Sequence, residues 1–218
     1  MFRREAEKIR EEFKGRKGKT IKVHLLPLDL NHAFNPEVSV INKDCLEVCR
    51  ESQGKTLLLN MANAENPCGF YWLKGGQEEH LCRNTSLLVD LEPGFYPIKP
   101  NELIFTEKVQ ISHSFVTFDV ISVAAEKQRY GVLDVKKDAE MKKRIRGILA
   151  FASFMRYEVL VLGAFGCGGF ENDPVKIASY FKEYLPFCSV PLIIFAIKEF
   201  ENHPMTNYNV FRRTLLPL

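Results

Sequence analysis

The rhythm of apolar and polar positions changes several times along the chain, and each change marks an element. Residues 2–14 alternate charges around the sparse apolar positions Phe2, Ile9 and Phe13, which predicts a helix ended by Gly15 and Gly18. Residues 21–26 read as a strand stopped at Pro27, and 38–41 as a short one. Asn42 is placed to cap a helix running to about Ser52, with Cys45, Leu46, Val48 and Cys49 facing inward. Residues 56–61, Thr-Leu-Leu-Leu-Asn-Met, form an almost unbroken apolar run of strand length, the pattern of a strand buried on both faces. A loop from Asn63 to about Gly76 follows, then a helix from about Gln77 to Leu88. Pro93, Pro97 and Pro100 mark an irregular stretch, after which 103–109 and 115–123 read as strands. Between about Asp134 and Phe154 the apolar positions Met141, Ile145, Ile148, Leu149, Ala152 and Met155 recur every three or four residues and predict a long helix. Residues 158–162 are a second buried strand, running into a Gly-rich stretch at 163–170. Pro174 then opens a helix reaching about Tyr184, and 192–197 is the last clear strand.

Strands alternating with helices predict a three-layer α/β fold around a largely parallel sheet, whose ligands bind beyond the carboxyl ends of the strands. The loops after 56–61 and 158–162 each follow a buried strand and precede a helix, so each is a candidate site wall. There is no repeat, low-complexity segment or linker, and residues 1–218 read as a single domain.

Composition narrows the picture. At 46% hydrophobic the chain can bury a core, which excludes a mainly disordered protein. Its apolar runs are far shorter than the ~20 residues of a membrane helix. Its first residues are charged where a signal peptide is apolar. A soluble intracellular protein, cytoplasmic or nuclear and without a membrane partner, is expected. The net charge of +3 is unevenly spread: residues 1–19 and 126–146 each hold eight Lys/Arg against four acidic residues. Such surfaces suit a polyanion, and they equally suit two amphipathic helices with solvated charged faces. Lys142-Lys143-Arg144-Ile145-Arg146 is read as a solvated helix face rather than a nuclear address, and no direct DNA binding is expected. The six cysteines have no framework spacing and are expected as reduced thiols. Cys45 and Cys49 read as core packing, with no metal cluster implied.

Two stretches could carry chemistry. The Gly-rich run Gly163-Ala164-Phe165-Gly166-Cys167-Gly168-Gly169-Phe170 suits a phosphate, because glycine lets amides approach a ligand and a helix N-terminus follows. A tight packing turn is the plainer reading. Gln77-Glu78-Glu79 opens a helix just after Gly75-Gly76. Acidic residues there favour the helix dipole, but two carboxyls about 100° apart could also cleave a glycosidic bond, one protonating the departing oxygen while the other holds a hydroxyl.

The runs Leu59-Asn60-Met61-Ala62-Asn63-Ala64-Glu65-Asn66-Pro67, Gln77-Glu78-Glu79-His80-Leu81-Cys82-Arg83 and Leu162-Gly163 through Asp173-Pro174 together resemble the microbial-type poly(ADP-ribose) glycohydrolases. The likeness extends, in the family's order, over roughly residues 3–200. It implies a macrodomain-like fold with a central mixed sheet, an ADP-ribose ligand, no cofactor and no metal. It also implies roles: Glu79 as catalytic acid, Glu78 positioning ribose hydroxyls, Asn63 on the reacting ribose. Gly166, Cys167, Gly168 and Gly169 would hold the diphosphate, with Phe170 on the ribose or adenine side. Gln77 belongs to the same motif, and Trp72 is either a pocket wall or packing. The expected partners are poly(ADP-ribose) or ADP-ribosylated proteins, met as a monomer.

One departure stands out. The family's three consecutive glycines are Cys68-Gly69-Phe70 here. If those positions need positive φ or close backbone approach, Cys and Phe resist it. Hydrolysis of ribose–ribose bonds is the expected activity. The alternatives are ADP-ribose binding with little turnover, or hydrolysis of another ADP-ribosyl linkage.

Overall fold

A computed structural model gives the fold and describes residues 2–70, 75–128, 134–199 and 206–216. The chain runs α1 (Phe2–Glu12), β1 (Lys19–His24), β2 (Glu37–Ile41), α2 (Cys45–Glu51), β3 (Thr56–Ala62), α3 (Gln77–Asn84), α4 (Leu87–Asp90), β4 (Glu102–Gln110), β5 (Thr117–Ala124), α5 (Val135–Phe154), β6 (Val159–Leu162), α6 (Pro174–Tyr184), β7 (Leu192–Ala196) and α7 (Asn207–Leu215). The strands form a mixed seven-stranded sheet in the order β1-β4-β5-β3-β6-β7-β2, with flanking helices. This is the α/β class that the alternation predicts. By its contacts the chain divides into two compact units, Met1–His24 with Leu58–Ala124, and Leu25–Leu57 with Ala125–Leu218.

The first unit holds the antiparallel strands. Lys19 of β1 lies opposite Glu107 of β4, and Ile104 of β4 opposite Ser122 of β5. The β4–β5 register shifts between Thr106 and Val109. There Lys108 takes φ 52°, and its N–H donates to Asp119 Oδ1 at 2.7 Å. Leu103, Ile104, Phe105, Val120, Ile121 and Val123 are buried and supply the core of this unit. α3 is backed by α1. The Arg83 guanidinium sits 4.2 Å over the Phe2 ring and pairs with Glu5 at 3.4 Å.

The single helix expected over about 77–88 is two. Thr85 is extended (φ −144°, ψ 167°), and its hydroxyl donates to Leu81 O at 2.8 Å. A Thr that bonds back onto the preceding turn offers the chain an exit from the helix, and here it bridges Ile111. Phe115 does not start a strand; it is 99% exposed and β5 begins at Thr117.

The second unit holds parallel strands, with both Glu37 of β2 and Val159 of β6 opposite Leu192 of β7. All four residues of β6 are buried, as a strand covered on both faces requires. α5 and α6 start where the sequence places them. Asp134 accepts from the amides of Lys136 and Lys137, and Asp173 accepts from Val175 N–H at 2.8 Å, with Pro174 in the first turn. α2 is capped by Asp44, not Asn42: the Asp44 carboxylate accepts from Leu46 N–H at 2.8 Å, while Asn42 Oδ1 accepts from Glu199 N–H. α7 is not anticipated by the sequence reading. It buries Phe211 and Leu215, too few positions for a clear period, and the Phe211 ring packs tilted against Phe195 at 5.6 Å between centroids.

Cys45 and Cys49 pack in the core as expected. The basic run of α5 is not uniformly solvated. Arg144 is 4% exposed and pairs with Glu126 at 2.6 Å, and Lys142 pairs with Glu183 at 2.6 Å. Among the described residues no helix is long and apolar enough to cross a membrane.

Candidate active site

The expected carboxyl pair lies in the first unit, where β3 and α3 fix it from both sides. Between its first residue, Thr56, and its end β3 is apolar except for Asn60, which is fully buried. α3 starts without a side-chain cap, at Gly76. Gln77 ties that helix start to the strand: its Oε1 accepts from Met61 N–H at 3.0 Å and its Nε2 donates to Leu59 O at 2.9 Å. Glu78 and Glu79 follow in the first turn, 4% and 9% exposed.

Glu78 is held by donors. Its Oε1 accepts from Asn60 Nδ2 at 3.2 Å and its Oε2 from Asn63 N–H at 2.7 Å. The Cys68 amide hydrogen-bonds it as well. Asn60 Nδ2 also donates to Ser122 at 3.0 Å, so β5 helps to orient it. Burial dominates the protonation of Glu78 and pushes its pKa up to about 8; the amides of Asn63 and Asn60 oppose the push, and the neighbouring Glu79 adds to it. The carboxyl therefore keeps its proton at neutral pH. Tyr96, raised by burial and by the Glu78 charge, buries its hydroxyl without a hydrogen-bond partner among the described residues.

Glu79 Oε1 accepts from Phe70 N–H at 3.2 Å. Two glycines leave room for this carboxylate. A Cβ on Gly69 would lie 2.6 Å from Glu79 Oε1 and 3.0 Å from Glu78 Oε2, and one on Gly76 would overlap Glu79 Oε2. Asn63 shapes the intervening loop, its Oδ1 accepting from the amides of Glu65 (2.8 Å) and Asn66 (3.0 Å).

The expectation of six free thiols is corrected here. Cys68 and Cys82 form a disulfide, with Cα atoms 5.8 Å apart. Cys68 adopts φ 60° and Gly69 φ 54°, while Phe70 is not left-handed. Of the two substituted glycine positions, only the first needs the unusual backbone, and a Cys occupies it. Trp72 lies outside the described residues.

The protonation of Glu78 has a measurable consequence. Its carboxyl loses a proton near 4.5 when unperturbed and near 8 in the fold. Between those values the folded state binds more protons than the unfolded state, so stability falls as pH rises through the window. Glu78→Gln has no proton to lose. Denaturant unfolding at about pH 5 and pH 8 should show a loss of a few kcal/mol in the wild type and a much flatter profile in the variant. Equal slopes would refute the shift.

The Gly-rich loop lies in the second unit. Gly166 takes φ 74°, and a Cβ there would meet Asn172 Nδ2 at 2.7 Å and Ala125 Cβ at 2.8 Å. Asn172, almost fully buried, organises the turn: its Nδ2 donates to Glu126 O at 2.8 Å, Gly166 O at 3.0 Å and Phe170 O at 3.3 Å. Gly168 and Gly169 have open space where a Cβ would be. Their amides, with that of Phe170, donate to no backbone carbonyl among the described residues, which suits them to an anion. The Cys167 thiol, raised by burial, points at Phe165 O and is no thiolate. Asn172→Ala should cost about 2 kcal/mol by stranding buried carbonyls. An unchanged melting temperature would show that the loop does not depend on it.

The structure thus gathers Asn63, Cys68, Gly69, Phe70, Gln77, Glu78 and Glu79 in one unit, while Gly166–Phe170 form an ordered turn in the other. Asn60, Ser122, Tyr96 and Asn172 were given no role in the sequence reading. A polar residue inside an apolar strand was the available signal for Asn60 and Ser122. Among the described residues no group of three or more His, Cys, Asp or Glu gathers as a metal site.

Two buried carboxyls side by side at a helix start, on an α/β fold, are the equipment of a glycosidase. Residues 5–118 match the model of the microbial-type PARG catalytic domain, PARG being poly(ADP-ribose) glycohydrolase. The chain belongs to this family and is thereby a hydrolase of the glycosidase type. Among solved structures it is similar to the poly(ADP-ribose) glycohydrolase of Thermomonospora curvata, with a TM-score of 0.78 and 23% identity over 96% of this chain and 89% of that one. It is also similar to the enzyme of Deinococcus radiodurans in complex with ADP-ribose, with a TM-score of 0.74 and 26% identity over 100% of this chain and 94% of that one. No curated protein matches the chain in sequence.

Proposed function

We propose that the chain hydrolyses the ribose–ribose O-glycosidic bonds of poly(ADP-ribose) and releases ADP-ribose, with residues 1–218 acting as one macrodomain-like catalytic domain. The observation that carries this reading is the buried carboxyl pair at the start of α3, which lies within the residues matched by the family model. Glu79 donates its proton to the departing ribose oxygen. The glycosidic C–O bond breaks as positive charge develops on the anomeric carbon and ring oxygen. Water attacks that carbon and returns a proton to the Glu79 carboxylate, so one water is consumed per bond and the acid is restored. Glu78, fixed by its three N–H donors, positions ribose hydroxyls, and Asn63 contacts the reacting ribose. The amides of Gly168 and Gly169 in the Gly166–Gly169 turn, with Cys167, hold the diphosphate, and Phe170 packs on the ribose or adenine side. The protein acts as a monomer on poly(ADP-ribose) or ADP-ribosylated proteins.

The test is release of free ADP-ribose from purified poly(ADP-ribose), followed by chromatography. A folded protein that releases none refutes the reading. Calorimetry with ADP-ribose then separates a binding module from a hydrolase of another ADP-ribosyl linkage.

A further inference from the structure

The loop through residues 68–70 meets α3 in two ways. Its backbone meets the carboxyls, the Cys68 amide on Glu78 and the Phe70 N–H on Glu79 Oε1. Its side chain meets the helix one turn further on, through the Cys68–Cys82 disulfide. Cys82 is three residues after Glu79 and four after Glu78, so all three share a stretch of helix surface. Both half-cystines are buried. Cys68 is held at φ 60°, a conformation that L side chains avoid and glycine adopts freely. Gly69 follows at φ 54°, with the space of its missing Cβ bounded by both carboxyls.

We propose that the Cys68–Cys82 disulfide is a positioning element of this active site: it holds residue 68 left-handed, and so keeps the amides of residues 68 and 70 aimed at Glu78 and Glu79. Its catalytic consequence rests on the glycohydrolase reading above. Turnover then depends on the redox state of the pair. A dithiol attacks one sulfur as thiolate and displaces the other, and its second thiol resolves the mixed disulfide. The reductant leaves as a cyclic disulfide, and its two electrons and two protons leave Cys68 and Cys82 as thiols. Released, Cys68 relaxes toward negative φ, the peptide units of the loop rotate, Glu79 loses the Phe70 amide, and Glu78 loses one of its three donors.

The oxidised wild type is compared with the wild type reduced by dithiothreitol, the pair of thiols being confirmed by mass, and with C68G/C82S and C68A/C82S. Steady-state release of ADP-ribose gives kcat and KM, and thermal melts establish that each protein is folded at the assay temperature. Reduction should lower kcat roughly 10- to 100-fold, the size expected for misplaced catalytic groups, with KM changed far less. Neither double variant should respond to dithiothreitol. C68G/C82S should turn over about tenfold faster than C68A/C82S, because glycine takes the left-handed conformation without a tether. A plain brace would make no such distinction between glycine and alanine. Equal kcat in oxidised and reduced wild type, or equal kcat in the two double variants, overturns the proposal. If C68A/C82S does not fold, the reduced wild type decides alone. If the oxidised wild type releases no ADP-ribose, it is the glycohydrolase reading that falls. Calorimetric titration of the same proteins with ADP-ribose then decides, tighter binding by C68G/C82S than by C68A/C82S upholding the positioning role and equal Kd values overturning it.

Discussion

Glu79→Gln should leave a folded protein whose release of ADP-ribose from poly(ADP-ribose) is slower by roughly 100- to 10,000-fold, the range that a positioned general acid contributes. Gln preserves the shape of the side chain and can still meet the Phe70 N–H that Glu79 accepts from at 3.2 Å. What it removes is the transferable proton. KM should therefore change much less than kcat, since ground-state contacts survive. The comparison that gives the result its meaning is Glu78→Gln. Glu78 spends its oxygens on Asn60, Asn63 and Cys68, and its expected role is to hold the sugar. Loss of activity there should be smaller and should appear in KM as well. If Glu78→Gln abolished release while Glu79→Gln kept it, the proton donor would be the carboxyl that burial keeps neutral, and the two roles would be exchanged.

Gly69→Ala should be nearly as damaging. A methyl group there would sit 2.6 Å from Glu79 Oε1 and 3.0 Å from Glu78 Oε2, so both carboxyls must shift. Alanine at φ 54° also carries a backbone cost of about 1–2 kcal/mol. A displacement of catalytic groups by about 1 Å costs on the order of 100-fold in rate. The expected result is therefore a lowered melting temperature together with a kcat loss of that size. Wild-type kcat in Gly69→Ala would show that the close approach of loop and carboxyls is incidental. The family run from which two glycines are missing thus keeps the one whose Cβ has no place to go.

Much of this was legible in the residues, for physical reasons that differ from element to element. α6 was placed because Pro174 suits only a first helical turn, and the cap that Asp173 adds became visible only in the fold. β3 and β6 were placed because strands buried on both faces read as nearly continuous apolar runs. The Glu pair was legible through its motif, and the burial of both carboxyls follows from Gln77 fastening the helix start to β3. The disulfide was not legible. Cys68 and Cys82 are 14 residues apart, with no secretory framework to suggest pairing. Only α3, turning Cys82, the fifth residue beyond Gln77, back toward the loop, brings the sulfurs together. Arg144 was misjudged for a related reason. Its neighbours in sequence are charged, but its partner Glu126 lies eighteen residues away. α7 escaped because two buried residues in nine do not make a period.

The bare start of α3 sets a limit on how this protein can be made more robust. Installing Ser, Asp or Asn ahead of an uncapped helix is a routine way to gain about 1 kcal/mol. At Gly76 that route is closed, because any Cβ would overlap the Glu79 carboxylate. This uncapped helix end is one that selection for turnover has to leave unimproved. Thermostable variants should therefore accumulate their changes at helix ends remote from the carboxyls, and a library randomised at position 76 should return glycine when screened for activity but not when screened for folding alone.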